Sequence, residues 1–194
     1  MMLLDHLRKW RLASASWRGR LVLSAVLLLS WSARLSNVFA AEAPSEQEVK
    51  AAFLLNFTKF IEWPESAFAA ADAPFSICIP GKDPVGKSLD EIVAGESAQG
   101  HPLTVRRLSE PGNLQACQVL VLDSSQKETH RTLSELRGGI LTVGDGANFT
   151  RDGGMIGFVI ENRRVRFVIN QRAAEQAMLR LSSRLLNVAK AVEK

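Results

Sequence analysis

The stretch CQVLVLDSSQKETHRTLSELRGGILTVGD (117–145) decides the fold class of this chain. It contains two nearly continuous apolar runs, 117–123 and 140–145, and such runs are typical of strands buried on both faces of a parallel sheet. The polar segment 126–137 between them predicts a helix, which a glycine pair is expected to end. Strand, helix and strand in this order indicate a parallel sheet covered by helices.

The residues before this stretch predict a helix, a strand, a second helix and a second strand. The first helix has an apolar arc at helical spacing, a capping box formed by Ser45 and Glu48, and Pro64 as its stop. Asp83 and Pro84 form a good N-cap and first-turn pair for the second helix. The four predicted elements span 46–62, 75–80, about 84–93 and 102–108.

The residues after the stretch predict a hairpin and a final helix. Two alternating runs, 155–161 and 165–170, are joined by a tight turn at 162–164. Asn170 is expected to cap one last helix whose buried face is a set of five residues. They are Ala174, Ala177, Leu181, Leu185 and Val188. The prediction is therefore a three-layer α/β fold, with a mostly parallel sheet flanked by helices, a C-terminal hairpin and a terminal helix.

Residues 1–40 have the pattern of a secretory signal peptide. Five basic residues precede an apolar run, LVLSAVLLLSW (21–31), and small residues end the segment at Ala40. The run is too short to span a bilayer, which takes about 20 residues, but Arg34 after it leaves an uncleaved anchor as the alternative. No cysteine stands at the cleavage site, which excludes a lipoprotein. We expect a periplasmic protein with one mature domain, 41–194.

Removing this segment changes the charge of the chain. Six of the 24 basic residues and one of the 20 acidic residues lie before position 41, which leaves 18 basic and 19 acidic residues. The basic character of the whole chain therefore belongs to the signal. Because a basic surface is the main sequence sign of nucleic-acid binding, no nucleic-acid partner is predicted.

Two cysteines, Cys78 and Cys117, remain in the mature chain. In an oxidising compartment a single structural disulfide is the default interpretation. Two buried free thiols are the alternative that the sequence leaves open.

GKDPVGKS (81–88) matches the phosphate-loop pattern G-x-x-x-x-G-K-[ST] between a predicted strand and a predicted helix. Such a loop presents backbone N–H groups to phosphates, but Pro84 removes one of them and Asp83 adds a negative charge. A turn followed by a helix, with Lys87 and Ser88 facing water, is the favoured interpretation. An exported nucleotide hydrolase is the disfavoured alternative.

Other catalytic and metal-binding patterns are weak. His101 and His130 lack the spacing of metal ligands, and no nucleophile elbow surrounds the serines near Asp123. Asp145, Asn148 and Asp152 lack the spacing of a calcium loop, so a capped turn is favoured there. The sequence predicts no enzyme, no metal site and no cofactor.

Four aromatic residues are concentrated in the first helix and at its end. Phe53 and Phe57 are expected to face the core, whereas Phe60 and Trp63, beside a proline, are candidates for exposed anchors in a partner interface. Trp63 is the stronger candidate of the two.

A small-molecule site is the alternative function that the fold suggests. In an open α/β sheet the ligand crevice lies at the carboxyl ends of the parallel strands. Gly81, Ser124, Asp145 and Asn148 would line that crevice.

Five segments together resemble the YfiR family of periplasmic proteins, in order and over nearly the whole mature chain. They are KAAFLLNFTKFIEWPE (50–65), ICIPGKDPVGKSLDEI (77–92), CQVLVLDSS (117–125), GGMIGFVIENRRVRFVIN (153–170) and LRLSSRLLNVAK (179–190). The family pattern G-x-D-P-x-G-x-x-L corresponds to the residues from Gly81 to Leu89, which explains the phosphate-loop match as an accident of Lys87 and Ser88.

The resemblance implies a non-catalytic regulator that binds and represses the periplasmic part of an inner-membrane diguanylate cyclase, lowering cyclic di-GMP synthesis and with it biofilm signalling. An outer-membrane lipoprotein that sequesters the regulator is a second implied partner, and a homodimer is compatible with the resemblance. Cys78 and Cys117 match a cysteine pair of the family. The hairpin arginines Arg163 and Arg164 join Phe60 and Trp63 as candidate partner-binding residues.

Overall fold

The computed structural model describes residues 43–109, 114–123, 128–136, 138–146 and 148–194. The predicted signal peptide therefore lies outside the described residues. The helices are α1 (Glu46–Phe60), α2 (Lys87–Val93), α3 (Glu128–Glu135), α4 (Asn148–Arg151), α5 (Gln171–Gln176) and α6 (Ser183–Val188). The strands are β1 (Ile61–Glu62), β2 (Phe75–Pro80), β3 (Ser97–Ala98), β4 (His101–Leu108), β5 (Val119–Leu122), β6 (Leu141–Asp145), β7 (Ile156–Glu161), β8 (Arg164–Asn170), β9 (Arg180–Leu181) and β10 (Ala191–Glu193).

The main sheet of the described residues has the order β10-β8-β7-β6-β5-β2-β4-β3. Strands β4, β2, β5, β6 and β7 are parallel, and β8 returns antiparallel to β7 as the predicted hairpin. Numbered along the chain, the five parallel strands have the order 2-1-3-4-5 of a doubly wound fold. The direction of winding reverses between β2 and β5. The prediction of a mostly parallel α/β sheet is confirmed.

Two hydrophobic clusters cover the two faces of the sheet. Ile77 and Ile79 of β2 belong to the larger cluster, together with Leu54 and Phe57 of α1. Cys78, between them on the same strand, belongs to the smaller cluster on the opposite face. This alternation follows from the two-residue period of a strand, and it produces the three layers that the sequence predicts.

Helix α1 begins as predicted but ends earlier. Ser45 Oγ accepts a hydrogen bond from Glu48 N, and the Glu48 carboxylate accepts one from Ser45 N, so the predicted capping box is present. The helix ends at Phe60 because Ile61 is extended and pairs with Leu181 of β9. Thr58, near the end of the helix, is buried and its hydroxyl donates to Leu55 O.

Helix α2 begins about three residues later than predicted. The Asp83 carboxylate accepts hydrogen bonds from Val85 N and Gly86 N, which closes a turn before the helix. Gly86 is the N-cap and has φ +58, a conformation that glycine adopts without strain. Asp83 therefore caps a turn, and the prediction that it caps the helix is wrong.

The predicted single terminal helix is two short helices with a strand between them. Asn170 caps α5 by accepting from Ala173 N, as predicted, but Met178 has φ +63 and ends the helical path. Ser182 then caps α6 through Leu185 N. As a result Val188 is exposed, although the helical pattern placed it on the buried face.

Candidate partner-binding surface

Trp63 is a core residue and the prediction of an exposed anchor is wrong for it. Its side chain is 6% exposed, its ring meets Phe75 edge-on at a centroid distance of 4.8 Å, and its indole N–H donates to Gln118 O at 3.1 Å. Trp63 is therefore inaccessible to a partner.

Phe60 lies half-buried at the edge of an apolar groove between α1 and α6, which we call the α1–α6 groove. Its cavity volume is about 240 Å³. Eight residues line it: Phe53, Asn56, Phe57, Phe60, Phe167, Arg184, Leu185 and Val188.

The floor of the α1–α6 groove is a rigid aromatic cluster. Phe57 and Phe167 are fully buried, and the Phe167 ring lies edge-on to Phe53 at 5.1 Å and to Phe57 at 5.2 Å between centroids. Such pairs add stability beyond their buried area. The floor is therefore held in place from within the core.

The rim of the groove carries an exposed apolar side chain. Val188, in the last position of α6, is 58% exposed. The β1–β9 pair holds the segment before α6 against the end of α1, and Ser182 N donates to Phe60 O at 3.0 Å. These backbone contacts place the two helices on either side of the opening.

The chemistry of the groove suits apolar side chains of a protein partner. Its volume is below the roughly 300–1,000 Å³ that is typical of small-molecule pockets. Asn56 and Arg184 supply exposed polar groups at the rim, as in interfaces with an apolar centre and a polar border.

The hairpin arginines lie apart from the groove floor, at the tip between β7 and β8. Asn162 and Arg163 have φ of +50 and +60, which makes a two-residue turn, and Arg164 is already the first residue of β8. Arg163 and Arg164 are exposed. The predicted three-residue turn is thus one residue shorter.

The structure places Gly81, Asp145 and Asn148 at one edge of the sheet, as the crevice hypothesis requires, whereas Ser124 lies outside the described residues. Lys50 enters this edge from α1, with its Nζ 2.8 Å from Asp145 Oδ1 and 2.6 Å from Glu46 Oε1. The space enclosed by Lys50, Asp145 and the residues around them has no room for a water molecule.

Lys50 is a buried cation whose charge is balanced by two carboxylates, those of Glu46 and Asp145. Its side chain is only 7% exposed. Burial is the largest single influence and lowers the pKa of Lys50, but hydrogen bonds to Asp145 and Glu46 together outweigh it and raise the pKa above its ordinary value. Lys50 thus stays protonated and fills the crevice. Sequence reasoning missed it, although its position four residues after Glu46 is the spacing of a helical ion pair.

Two residues of the phosphate-loop match, Asp83 and Gly86, bind the guanidinium group of Arg107. Arg107 of β4 donates from Nε to Asp83 Oδ2 at 2.7 Å and from Nη2 to Gly86 O at 2.8 Å. It also binds both carboxylate oxygens of Asp90. Two carboxylates and a carbonyl around a guanidinium form the opposite of a phosphate cradle, which supports the interpretation of residues 81–88 as a turn before a helix.

Cys78 and Cys117 form a disulfide, and the expected pairing is confirmed. Their Cα atoms are 5.8 Å apart, and both side chains are buried. The bond joins β2 to Cys117, two residues before the start of β5, across the point where the winding of the sheet reverses. It lies in the smaller cluster, away from the α1–α6 groove.

His101 and His130 each contact groups of the fold itself. His101 stacks on Phe68 at 3.8 Å between centroids and its Nδ1 is 2.6 Å from Ala73 O, while His130 Nε2 lies 3.7 Å from Asp152. In the part of the chain that the structure describes, no three metal-ligating side chains come together. No described helix is both long and apolar enough to cross a bilayer.

The chain is a layered α/β domain with an apolar groove beside its first helix. The family model described as YfiR/HmsC-like matches residues 47–190. The chain therefore belongs to the YfiR/HmsC-like family, a family of periplasmic regulatory proteins. No curated protein matches the chain.

Proposed function

We propose that this protein binds the periplasmic part of an inner-membrane diguanylate cyclase and represses it, lowering cyclic di-GMP synthesis. Family membership supports the regulatory role, and the single structural observation that carries the binding role is the α1–α6 groove with its exposed Val188. The groove has the features of an interface centre, namely aromatic walls and a polar rim.

Repression by binding requires a preference between two states of the cyclase. A ligand shifts an equilibrium only by its differential affinity, and moving a receptor from 99% active to 99% inactive takes on the order of a 10⁴-fold preference. We propose that anchor side chains of the inactive cyclase fill the α1–α6 groove and are displaced from it in the active state.

An outer-membrane lipoprotein would relieve the repression by sequestering the regulator. If the lipoprotein and the cyclase compete for the α1–α6 groove, a change at Val188 weakens both interactions together. We further propose that export and cleavage after Ala40 produce the mature domain 41–194.

The arrangement around residues 81–88 supports a role without nucleotide chemistry. The acidic groups and the Gly86 carbonyl face Arg107, and Lys87 is exposed at the start of α2. Lys87→Ala is therefore expected to keep full regulatory activity. Loss of activity with an intact fold would revive the nucleotide hypothesis.

A cellular test compares Val188→Glu with Met178→Glu in a strain that lacks the wild-type gene. The two side chains are matched in exposure, at 58% and 57%, but only Val188 lines the groove. Deletion of the gene is expected to raise cyclic di-GMP, and the Met178→Glu protein to restore the low level, whereas the Val188→Glu protein does not. Unchanged cyclic di-GMP on deletion would contradict the proposed function, and full repression by Val188→Glu would remove the groove from it.

A further inference from the structure

The tip of the β7–β8 hairpin has two chemically different faces. Phe158 and Phe167 are a cross-strand pair that packs on α1. Because side chains alternate along a strand, the next pair outward on that face is Ile160 and Val165. Ile160 is 56% exposed, so the apolar face of the hairpin extends past the core into solvent.

The opposite face and the turn are cationic. Arg164 and Arg166 alternate with Val165 and lie on the face away from α1, and Arg163 stands at the apex of the turn. Within the described chain, none of these three arginines makes an ion pair. The carboxylate nearest in the sheet register, Glu161, is held instead by Lys190 at 2.8 Å.

Glu161 is thereby neutralised locally. The hydrogen bond from Lys190 is the main cause that lowers the pKa of Glu161, and the charge of Arg166 adds to it. The tip thus combines four cations and one paired carboxylate with an exposed isoleucine, in a mature chain whose overall composition is nearly neutral.

We propose that this hairpin tip binds the surface of an anionic phospholipid bilayer. Guanidinium groups bind phosphate oxygens in bidentate fashion, and a short apolar side chain enters the boundary between headgroups and acyl chains. A lipid surface accounts for both faces of the tip, whereas an acidic protein segment would bind the arginines and leave Ile160 in water. The contact is separate from the α1–α6 groove and would hold the regulator beside a membrane-bound partner.

The expected contact is weak and depends on salt. Each basic residue close to an anionic membrane adds roughly fivefold to binding, so three arginines add on the order of a hundredfold. One isoleucine gives little binding of its own. Stable association would therefore need the cyclase as a second contact, which suits a regulator that must also be released.

The test is sedimentation of the purified exported protein with vesicles of phosphatidylglycerol and phosphatidylcholine, compared with phosphatidylcholine alone. At low salt we expect binding to the anionic vesicles only, with loss on adding 0.5 M salt, a concentration at which charges are screened within about 4 Å. The triple variant Arg163→Gln, Arg164→Gln, Arg166→Gln should reduce binding by about a hundredfold, and Ile160→Ser by a few-fold.

The matched control is a triple glutamine variant at three other exposed arginines, Arg151, Arg172 and Arg180. It removes the same charge from the molecule and is expected to bind as the wild type does. Absence of wild-type binding, equal binding to neutral vesicles, or equal loss in both triple variants would overturn the proposal. No cyclase is present in this experiment, so its failure would leave the proposed function in place.

Discussion

At the scale of single residues, Phe60 and Trp63 lie three positions apart yet have different surroundings. The apolar residues of α1 identify the helix, but the same pattern fits Phe60 at a groove and Trp63 in the core. The difference arises because the Trp63 indole N–H donates to Gln118 O, a partner 55 residues away in sequence. The burial of Lys50 was missed because a lysine is normally exposed, and one of its two carboxylate partners, Asp145, is distant in sequence.

Substitution of Trp63 tests its assignment to the core. Trp63→Phe removes the hydrogen bond to Gln118 O and is expected to lower the free energy of unfolding by about 1–2 kcal/mol, whereas Trp63→Ala is expected to lower it by about 3–5 kcal/mol. Urea unfolding followed by circular dichroism measures both values. A loss below about 0.5 kcal/mol for Trp63→Ala, the range typical of surface substitutions, would mean that the side chain is exposed.

Asp90 gives a prediction that depends on pH. The hydrogen bond from Arg107 is the main cause that lowers the pKa of Asp90 in the folded state. The carboxylate therefore stabilises the fold above its unfolded pKa of about 3.9, and this contribution is lost as the pH falls through the lower folded value. Because Arg107 and Asp90 are 40% and 45% exposed, solvent screening limits the contribution to about 0.5 kcal/mol.

The measurement is the free energy of unfolding of Asp90→Asn and of wild type at pH 6 and at pH 2.5. We expect the wild type to be more stable at pH 6 and the difference to shrink at pH 2.5. Glu91→Gln, an exposed neighbour on α2, is the control. A difference that stays constant over this range would show that Asp90 gains nothing from Arg107.

At the scale of secondary-structure elements, the sequence predicted the sheet well and the helix ends poorly. Apolar runs identify β2, β5 and β6, because strands that are buried on both faces of a sheet consist almost entirely of apolar residues. The end of α1 and the break between α5 and α6 depend instead on the β1–β9 pair, whose two strands are more than 100 residues apart in sequence. A two-residue strand pair of this kind cannot be recognised from the local sequence. The opening of the α1–α6 groove depends on the β1–β9 pair.

The Cys78–Cys117 disulfide covalently links β2 to the segment that precedes β5. Cys78 and Cys117 are 39 residues apart, and a loop of this length predicts a stabilisation of about 4 kcal/mol from the restricted unfolded chain. We expect the free energy of unfolding of the double variant Cys78→Ala, Cys117→Ala, measured by urea unfolding, to be about 2–4 kcal/mol lower than that of the wild type. Reductant should lower the stability of the wild type and leave that of the variant unchanged. Mass spectrometry that finds two free thiols in the exported protein would contradict the disulfide.

At the scale of the whole molecule, the order of elements was predictable and the α1–α6 groove was not. Alternation of strands and helices indicated three layers, and the structure adds the 2-1-3-4-5 order with its reversal at the disulfide. The crevice that such an order suggests contains the Lys50–Asp145 ion pair. The α1–α6 groove forms only when the last segment of the chain returns to the first helix, so its position follows from tertiary structure alone.

The most direct measurement of the central claim is the affinity between the purified protein and the purified periplasmic part of an inner-membrane diguanylate cyclase from the same cell. We predict saturable binding that Val188→Glu weakens at least tenfold and Met178→Glu leaves unchanged. Absence of binding by the wild type, or equal affinity of all three proteins, would contradict it.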